Sequence, residues 1–254
     1  MGEWFFCGMS GFQIAVLCAC AFLAGVNKTG IPGVGILMVP FLAMVFPAKM
    51  STGLLLPLLA TADVFAVVHY HRHAHWNLVL RLLPWSLTGI VIGSIIIRQI
   101  SNAQLKPLIG AIVLMMLILS VIRRRCAAGM NIPNQWWFAA LMGIAAGMTT
   151  QMANAAGPVM VIYLLAMQLP KEEYMGTGAW YFLIVNWLKV PLYVWDRRID
   201  WTSFRTDLLL IPLVAVGAWM GIVILRKMPQ KWFNVVIQAL AFIAALHLCW
   251  SAFR

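Results

Sequence analysis

The sequence predicts an all-α fold, a polytopic helical membrane protein, from two observations. First, 63% of the 254 residues are hydrophobic, 10% are charged and the mean hydropathy is +0.90, whereas roughly a quarter of the residues in a soluble domain are charged. Second, the apolar residues form continuous runs about one helix long, and about 20 such residues cross a bilayer. A β-barrel would instead show alternating segments of about ten residues.

Ten apolar stretches are predicted to be helical, and two pairs of them are short and interrupted, so the chain has about eight hydrophobic segments. Because no A-x-A-like cleavage site follows the first stretch, we expect that stretch to be retained in the protein. In chain order, the stretches are Phe12–Ala24, Gly35–Phe46, Thr52–His69, Leu78–Ile97, Leu105–Ile122, Trp136–Met148, Gly157–Leu169, Tyr174–Val194, Phe204–Leu225 and Phe233–Ser251.

Segments rich in glycine or proline interrupt the two short pairs, at residues 27–35 and at residues 149–158. Pro32 and Pro158 each remove a backbone donor, and glycine adopts dihedral angles that no helix uses. Each break is therefore predicted to be a half-helix junction in mid-membrane or the tip of a re-entrant hairpin.

The two breaks correspond in an internal repeat whose offset drifts from about 122 to about 128 residues. Gly25 corresponds to Gly147, and Pro84 to Pro212. We therefore predict one integral membrane domain made of a first repeat, residues 1–125, and a second repeat, residues 126–254. Both parallel and inverted repeats remain compatible with this pattern.

Matched interruptions in two halves are typical of a transporter's binding site, because irregular backbone at membrane depth persists only where it lines a cavity or is buried in protein. Alternatively, these glycines and prolines only kink packed helices. The chain contains no nucleotide-binding motif and no H-E-x-x-H or G-x-S-x-G motif, so we expect a secondary transporter without a cofactor, and not an enzyme.

Three ionisable residues are predicted to lie at membrane depth. Asp63 is the one acidic residue placed within an apolar span, Lys28 lies in the first break, and Lys189 follows Asn186 by three residues on one helix. Such groups are costly in a membrane and mark a pathway, a proton relay or a buried pair. Lysines beside half-helix N-termini favour an anion site, and Asp63 is predicted to couple transport to protons. The alternative is that Asp63 pairs with a lysine only as structure.

The predicted substrate site combines these lysines with polar residues and glycines of both halves. Some of the hydroxyl and amide groups are equally explained by hydrogen bonds between packed helices. The predicted substrate-binding residues are Asn27, Lys28, Thr29, Gly30, Gly33, Gly35, Thr149, Thr150, Gln151, Asn154, Gly157, Thr177, Tyr181, Asn186 and Lys189.

Four histidines alternate in the segment HYHRHAH: His69, His71, His73 and His75. In an extended segment they would share one face and could bind a transition metal, which gives an alternative function, a transition-metal or other cation permease. The other interpretation is that they end a helix at the membrane interface. The five cysteines include no C-x-x-C pair and are predicted to form neither a disulfide framework nor a metal site.

The net charge of +11 comes mainly from basic residues between the predicted spans. In a membrane protein this pattern reflects orientation and lipid headgroups rather than nucleic acid, and it favours an anionic over a cationic substrate. The predicted partners are a small anion and the lipid bilayer, and the sequence leaves a homodimer open. We expect a multi-pass protein of the bacterial cytoplasmic membrane.

Nearly the whole chain resembles the TauE/SafE family of membrane permeases. In the first half, the resemblance is carried by GVNKTGIPGVGILMVPFLAMVFP, TGLLLPLLATADVFAVVHYHRHAHW and LLPWSLTGIVIG. In the second half, it is carried by GIAAGMTTQMANAAGPVMVIYLLAMQLPKEEYMGTGAWYFLIVNWLKVPLY. The first break departs from the family's commoner glycine-rich form, because Ile31, Pro32 and Val34 stand between its glycines. The resemblance implies transport of a sulfur-containing oxyanion or organosulfonate such as sulfite or sulfoacetate.

Overall fold

A computed structural model of the protein describes residues 9–32, 34–101, 104, 136–229, 232 and 235. All regular elements in these residues are helical. Two predicted segments, Leu105–Ile122 and most of Phe233–Ser251, lie outside them, as does the predicted boundary between the repeats. The α-helices are α1 Gly11–Thr29, α2 Gly35–Val45, α3 Ala48–Tyr70, α4 Trp76–Gln99, α5 Trp136–Ala153, α6 Gly157–Ala166, α7 Lys171–Trp195 and α8 Trp201–Lys227.

Among the described residues, four segments are long and apolar enough to cross a membrane: Gly11–Thr29, Ala48–His73, Trp76–Gln99 and Ser203–Lys227. Large apolar side chains cover the outside of the bundle, as illustrated by Trp219, which is 65% exposed. Such a surface suits lipid rather than water. The prediction of an all-helical, multi-pass membrane protein is therefore confirmed.

Both predicted breaks are present, but they are shorter than predicted. α1 continues through Thr29 and α5 through Ala153, while α2 begins at Gly35 and α6 at Gly157. Pro32 lies inside the first interruption, and Asn154 has a φ of 51° in the second, a left-handed conformation that ends a helix. The polar residues before these two points are therefore helical: Asn27, Lys28, Thr29, Thr149, Thr150 and Gln151.

Close glycine contacts hold α1 against α8 and α5 against α4. A Cβ on Gly25 would lie 2.2 Å from the backbone oxygen of Val214, and a Cβ on Gly147 would lie 2.1 Å from that of Ser86. Real Cβ atoms do not approach so closely, so only glycine fits at either position. Gly25 and Gly147 also correspond in the predicted repeat, which itself stays a prediction.

Candidate functional site

A cavity lies between the two breaks, inside the bundle. The space open to the centre of a water molecule is about 70 Å³, compared with the roughly 10–15 Å³ that one water requires. The cavity is therefore large enough for a small solute. Seven predicted site residues line it, from both halves of the chain: Asn27, Lys28, Gly35, Thr150, Asn154, Gly157 and Asn186.

Lys28 forms a buried ion pair beside this cavity. Its Nζ lies 2.7 Å from Asp63 Oδ1 and 3.7 Å from the ring centroid of Phe182. Asn186 Nδ2 donates a hydrogen bond of 2.6 Å to Asp63 Oδ2. The structure therefore combines the two sequence interpretations, because Lys28 pairs with Asp63 and also lines the cavity.

Lys189 lies directly behind the cavity wall and is fully buried. Its ammonium donates to Thr150 Oγ1 at 2.8 Å, to the Thr150 backbone oxygen at 3.1 Å and to Asn154 Oδ1 at 2.7 Å. Two of these acceptors belong to Thr150 in the last turn of α5, whose C-terminal end carries partial negative charge, and the third belongs to Asn154, the residue after the helix. Within the described residues Lys189 forms no ion pair, whereas Lys28 is paired with Asp63.

The N-terminus of α6 supplies a further feature that favours anions. No side chain caps this ten-residue helix at Ala156, and Gly157 lines the cavity. Uncapped N–H groups at a helix start attract anions. The start of α2 differs, because the N–H of Gly35 donates to Asn27 Oδ1 at 2.9 Å.

Several predicted site residues serve helix packing instead of the cavity. Thr29 Oγ1 donates to the backbone oxygen of Ala218 at 2.7 Å, and Thr177 Oγ1 accepts from the backbone N–H of His75 at 3.0 Å. For these groups the packing interpretation fits. The described residues of the predicted site that do not line the cavity are Thr29, Gly30, Thr149, Gln151, Thr177, Tyr181 and Lys189, and Gly33 lies outside the described residues.

Asp207 is a buried acidic residue whose location the sequence prediction got wrong. Asp207 stands near the start of the predicted stretch Phe204–Leu225, and in the structure it lies within the span Ser203–Lys227 of α8. It is 4% exposed, so Asp63 is not the one carboxylate in an apolar span. A sequence signal was available, since Ser203, Asp207 and the buried Leu210 share one helix face.

Arg198 and Tyr193 are the other residues that sequence reasoning missed. Arg198 is 5% exposed, its guanidinium lies 3.7 Å from the ring centroid of Tyr193, and its Nη1 donates to the backbone oxygen of Gln151 at 3.1 Å. The hydroxyl of Tyr193 donates to the same oxygen at 2.9 Å. No sequence pattern distinguishes Arg198 from its exposed neighbour Arg197.

The histidine segment is not extended, because α3 continues to Tyr70 and His71–His73 form a 3₁₀ turn. His75 Nε2 lies 2.5 Å from a Glu173 oxygen. In the part of the chain that the structure describes, no three His, Cys, Asp or Glu side chains are arranged to hold a metal. This geometry supports the interpretation that the histidines end the helix.

The fold and the site together define a multi-pass membrane protein with a polar cavity inside its helical bundle. The chain belongs to the sulfite exporter TauE/SafE family, whose family model matches residues 17–248. This family consists of membrane transporters rather than enzymes, and the match confirms the resemblance seen in the sequence. The chain matches no curated protein and no solved structure.

Proposed function

We propose that the protein is a secondary transporter that moves a small anion across the bacterial cytoplasmic membrane. The observation that carries this proposal is the charge around the cavity: the buried Lys28 pairs with Asp63, while the buried Lys189 behind the cavity wall has no acidic partner within the described residues. Excess positive charge at membrane depth is costly unless an anion balances it. TauE/SafE membership supports a sulfur-containing oxyanion or organosulfonate, such as sulfite or sulfoacetate.

The ion pair between Lys28 and Asp63 suggests how a proton and an anion are linked. An anion in the cavity competes with Asp63 for the ammonium of Lys28. Protonation of Asp63 removes the competing negative charge, so Lys28 can then bind the anion. Asn186 continues to donate a hydrogen bond to the carboxyl group of Asp63. In this scheme the proton and the anion bind together, and Asp63 is the proton-coupling residue.

The opposite wall of the cavity provides neutral donors. Thr150 Oγ1 accepts a hydrogen bond from Lys189, which leaves the hydroxyl proton of Thr150 for an acceptor such as an anion oxygen. The uncapped start of α6 adds backbone N–H groups near Gly157. Lys189 thus acts as a positioning residue, because it orients Thr150 and Asn154.

A repeated architecture would let the two breaks move relative to each other. In this proposal, residues 1–125 and 126–254 form the two repeats. The close contact of Gly25 with α8 and that of Gly147 with α4 support it, since each contact joins one proposed repeat to the other. Rocking of one repeat against the other would expose the cavity to the two sides in turn.

The test is flux of radiolabelled sulfite and sulfoacetate into liposomes containing the purified protein, with and without a pH gradient. We expect gradient-dependent flux in the wild type, loss of flux in Lys28→Ala and unchanged flux in Lys227→Ala. The last variant removes an exposed lysine at the end of α8 and controls for net charge. Absence of flux for both anions, or normal flux in Lys28→Ala, would refute the proposal.

A further inference from the structure

A second, open pocket lies at one end of the bundle and is lined mainly by basic side chains. The space open to the centre of a water molecule is about 350 Å³. Lys49 comes from the start of α3, Arg98 from the end of α4, and Arg197 and Arg198 from the turn before α8. With Asp196 as the one acidic residue in this lining, four positive charges face one negative charge.

The carboxylate of Asp196 is shared by two arginines. Arg98 Nε lies 2.9 Å from Asp196 Oδ1, and Arg198 Nη2 lies 3.4 Å from Asp196 Oδ2. Arg197 forms no ion pair within the described residues. It also has a φ of 53°, a left-handed conformation that costs an L-residue free energy and that concentrates at functional sites.

Arg198 connects this pocket to the inner cavity. It lines the pocket, and its Nη1 donates to the backbone oxygen of Gln151. The preceding residue, Thr150, binds Lys189 and lines the inner cavity. In the part of the chain that the structure describes, the buried Nε of Arg198 has no hydrogen-bond partner. A buried donor without a partner is costly, so the side chain of Arg198 has a polar group left to satisfy.

We infer that this basic pocket is a second binding site, for an oxyanion group, and that it holds the anion before the anion moves past Arg198 to the inner cavity. The inference rests on the proposed transport of an anion. Arginines bind oxyanions through directed, charge-assisted hydrogen bonds. A phospholipid phosphate offers the same chemistry, but the hydrogen bond of Arg198 to Gln151, which follows the cavity-lining Thr150, favours a free solute.

A kinetic experiment compares variants of the pocket with a matched surface variant. Initial rates of sulfite uptake are measured in phosphatidylcholine liposomes with wild type, Arg197→Gln and Lys49→Gln. The control is Arg205→Gln, which removes an exposed arginine of α8 outside the pocket. We expect KM to rise about fivefold for each pocket charge removed, less at high salt, with kcat and the control unchanged. Equal KM values in all variants would overturn the inference.

A binding experiment separates this inference from the proposed function. Trp195 lines the pocket and is 76% exposed, so its fluorescence is followed while sulfite is added to the purified protein, with Trp195→Phe as blank. We expect a saturable change that persists in Lys28→Gln and that shifts to about fivefold higher sulfite concentration in Arg197→Gln. If sulfite changes the fluorescence but is not transported, the proposed function is refuted and the binding site in the basic pocket is retained. If sulfite is transported but the fluorescence does not change, the inference of a binding site in the basic pocket is overturned.

A further experiment with anionic lipid distinguishes a free anion from a phospholipid phosphate as the occupant of the pocket. The same titration is repeated after phosphatidylglycerol is added to the protein. We expect the response of Trp195 to sulfite to survive, because a free anion is the occupant. Loss of this response with anionic lipid, but not with phosphatidylcholine, would assign the pocket to a lipid headgroup and overturn its role on the anion pathway.

Discussion

Asp63 controls two contacts of the cavity at once, since it binds the ammonium of Lys28 and accepts from Asn186. Breaking a buried ion pair by removing one partner typically costs about 3–5 kcal/mol, because the other charge is left unpaired. A proton on Asp63 would have the same effect on Lys28, and an anion at Lys28 would offset it. In the proposed scheme, proton binding and anion binding are therefore linked at Asp63.

Replacing Asp63 by Asn tests this linkage, because asparagine keeps the shape of the side chain and cannot be protonated. We expect Asp63→Asn to lose uptake driven by a pH gradient at least about tenfold, which corresponds to about 1.4 kcal/mol. Exchange of labelled for unlabelled sulfite across the membrane should persist, since Lys28 remains. Both activities are measured in the same liposomes, and gradient-driven uptake at the wild-type rate would assign proton coupling to another residue.

At the scale of single elements, the positions of the breaks were predictable and their lengths were not. Pro32 and the glycines around it act locally, so the sequence pattern locates the interruption. Lys28 and Thr150 fall within the predicted breaks, yet both are helical, and tertiary partners satisfy their side chains. Partners that lie far away in the chain, such as Asp63 for Lys28, leave no local signal in the sequence.

The helix contacts at Gly25 and Gly147 give a prediction at this scale. A methyl group at either position would overlap backbone atoms of the facing helix, and overpacking typically costs about 1–3 kcal/mol. We expect Gly25→Ala and Gly147→Ala to lower the Tm of the purified protein. Gly11→Ala is the control, because a Cβ there meets nothing within 4 Å. An unchanged Tm in both test variants would show that these contacts are not close-packed.

At the scale of the whole molecule, the distribution of charge relates the inner cavity to the outer pocket. Four basic residues line the outer pocket, one of them, Arg198, donates to the backbone oxygen of Gln151, and Lys28 lines the inner cavity. Composition and hydropathy were enough to predict the membrane fold, and the net charge of +11 already favoured an anion. The pocket itself could not be predicted, because its side chains come from the ends of α3, α4 and α7.

Parallel flux of labelled sulfite and Zn²⁺ into the same liposomes tests whether the inner cavity binds an anion. The variants compared are Lys28→Ala, His71→Ala and His73→Ala. We predict that sulfite enters with wild type and with both histidine variants, and that it does not enter with Lys28→Ala. The contradicting result is the absence of sulfite flux together with Zn²⁺ flux that is lost in the histidine variants and normal in Lys28→Ala. This result would rule out the proposed anion transport and establish a cation permease instead.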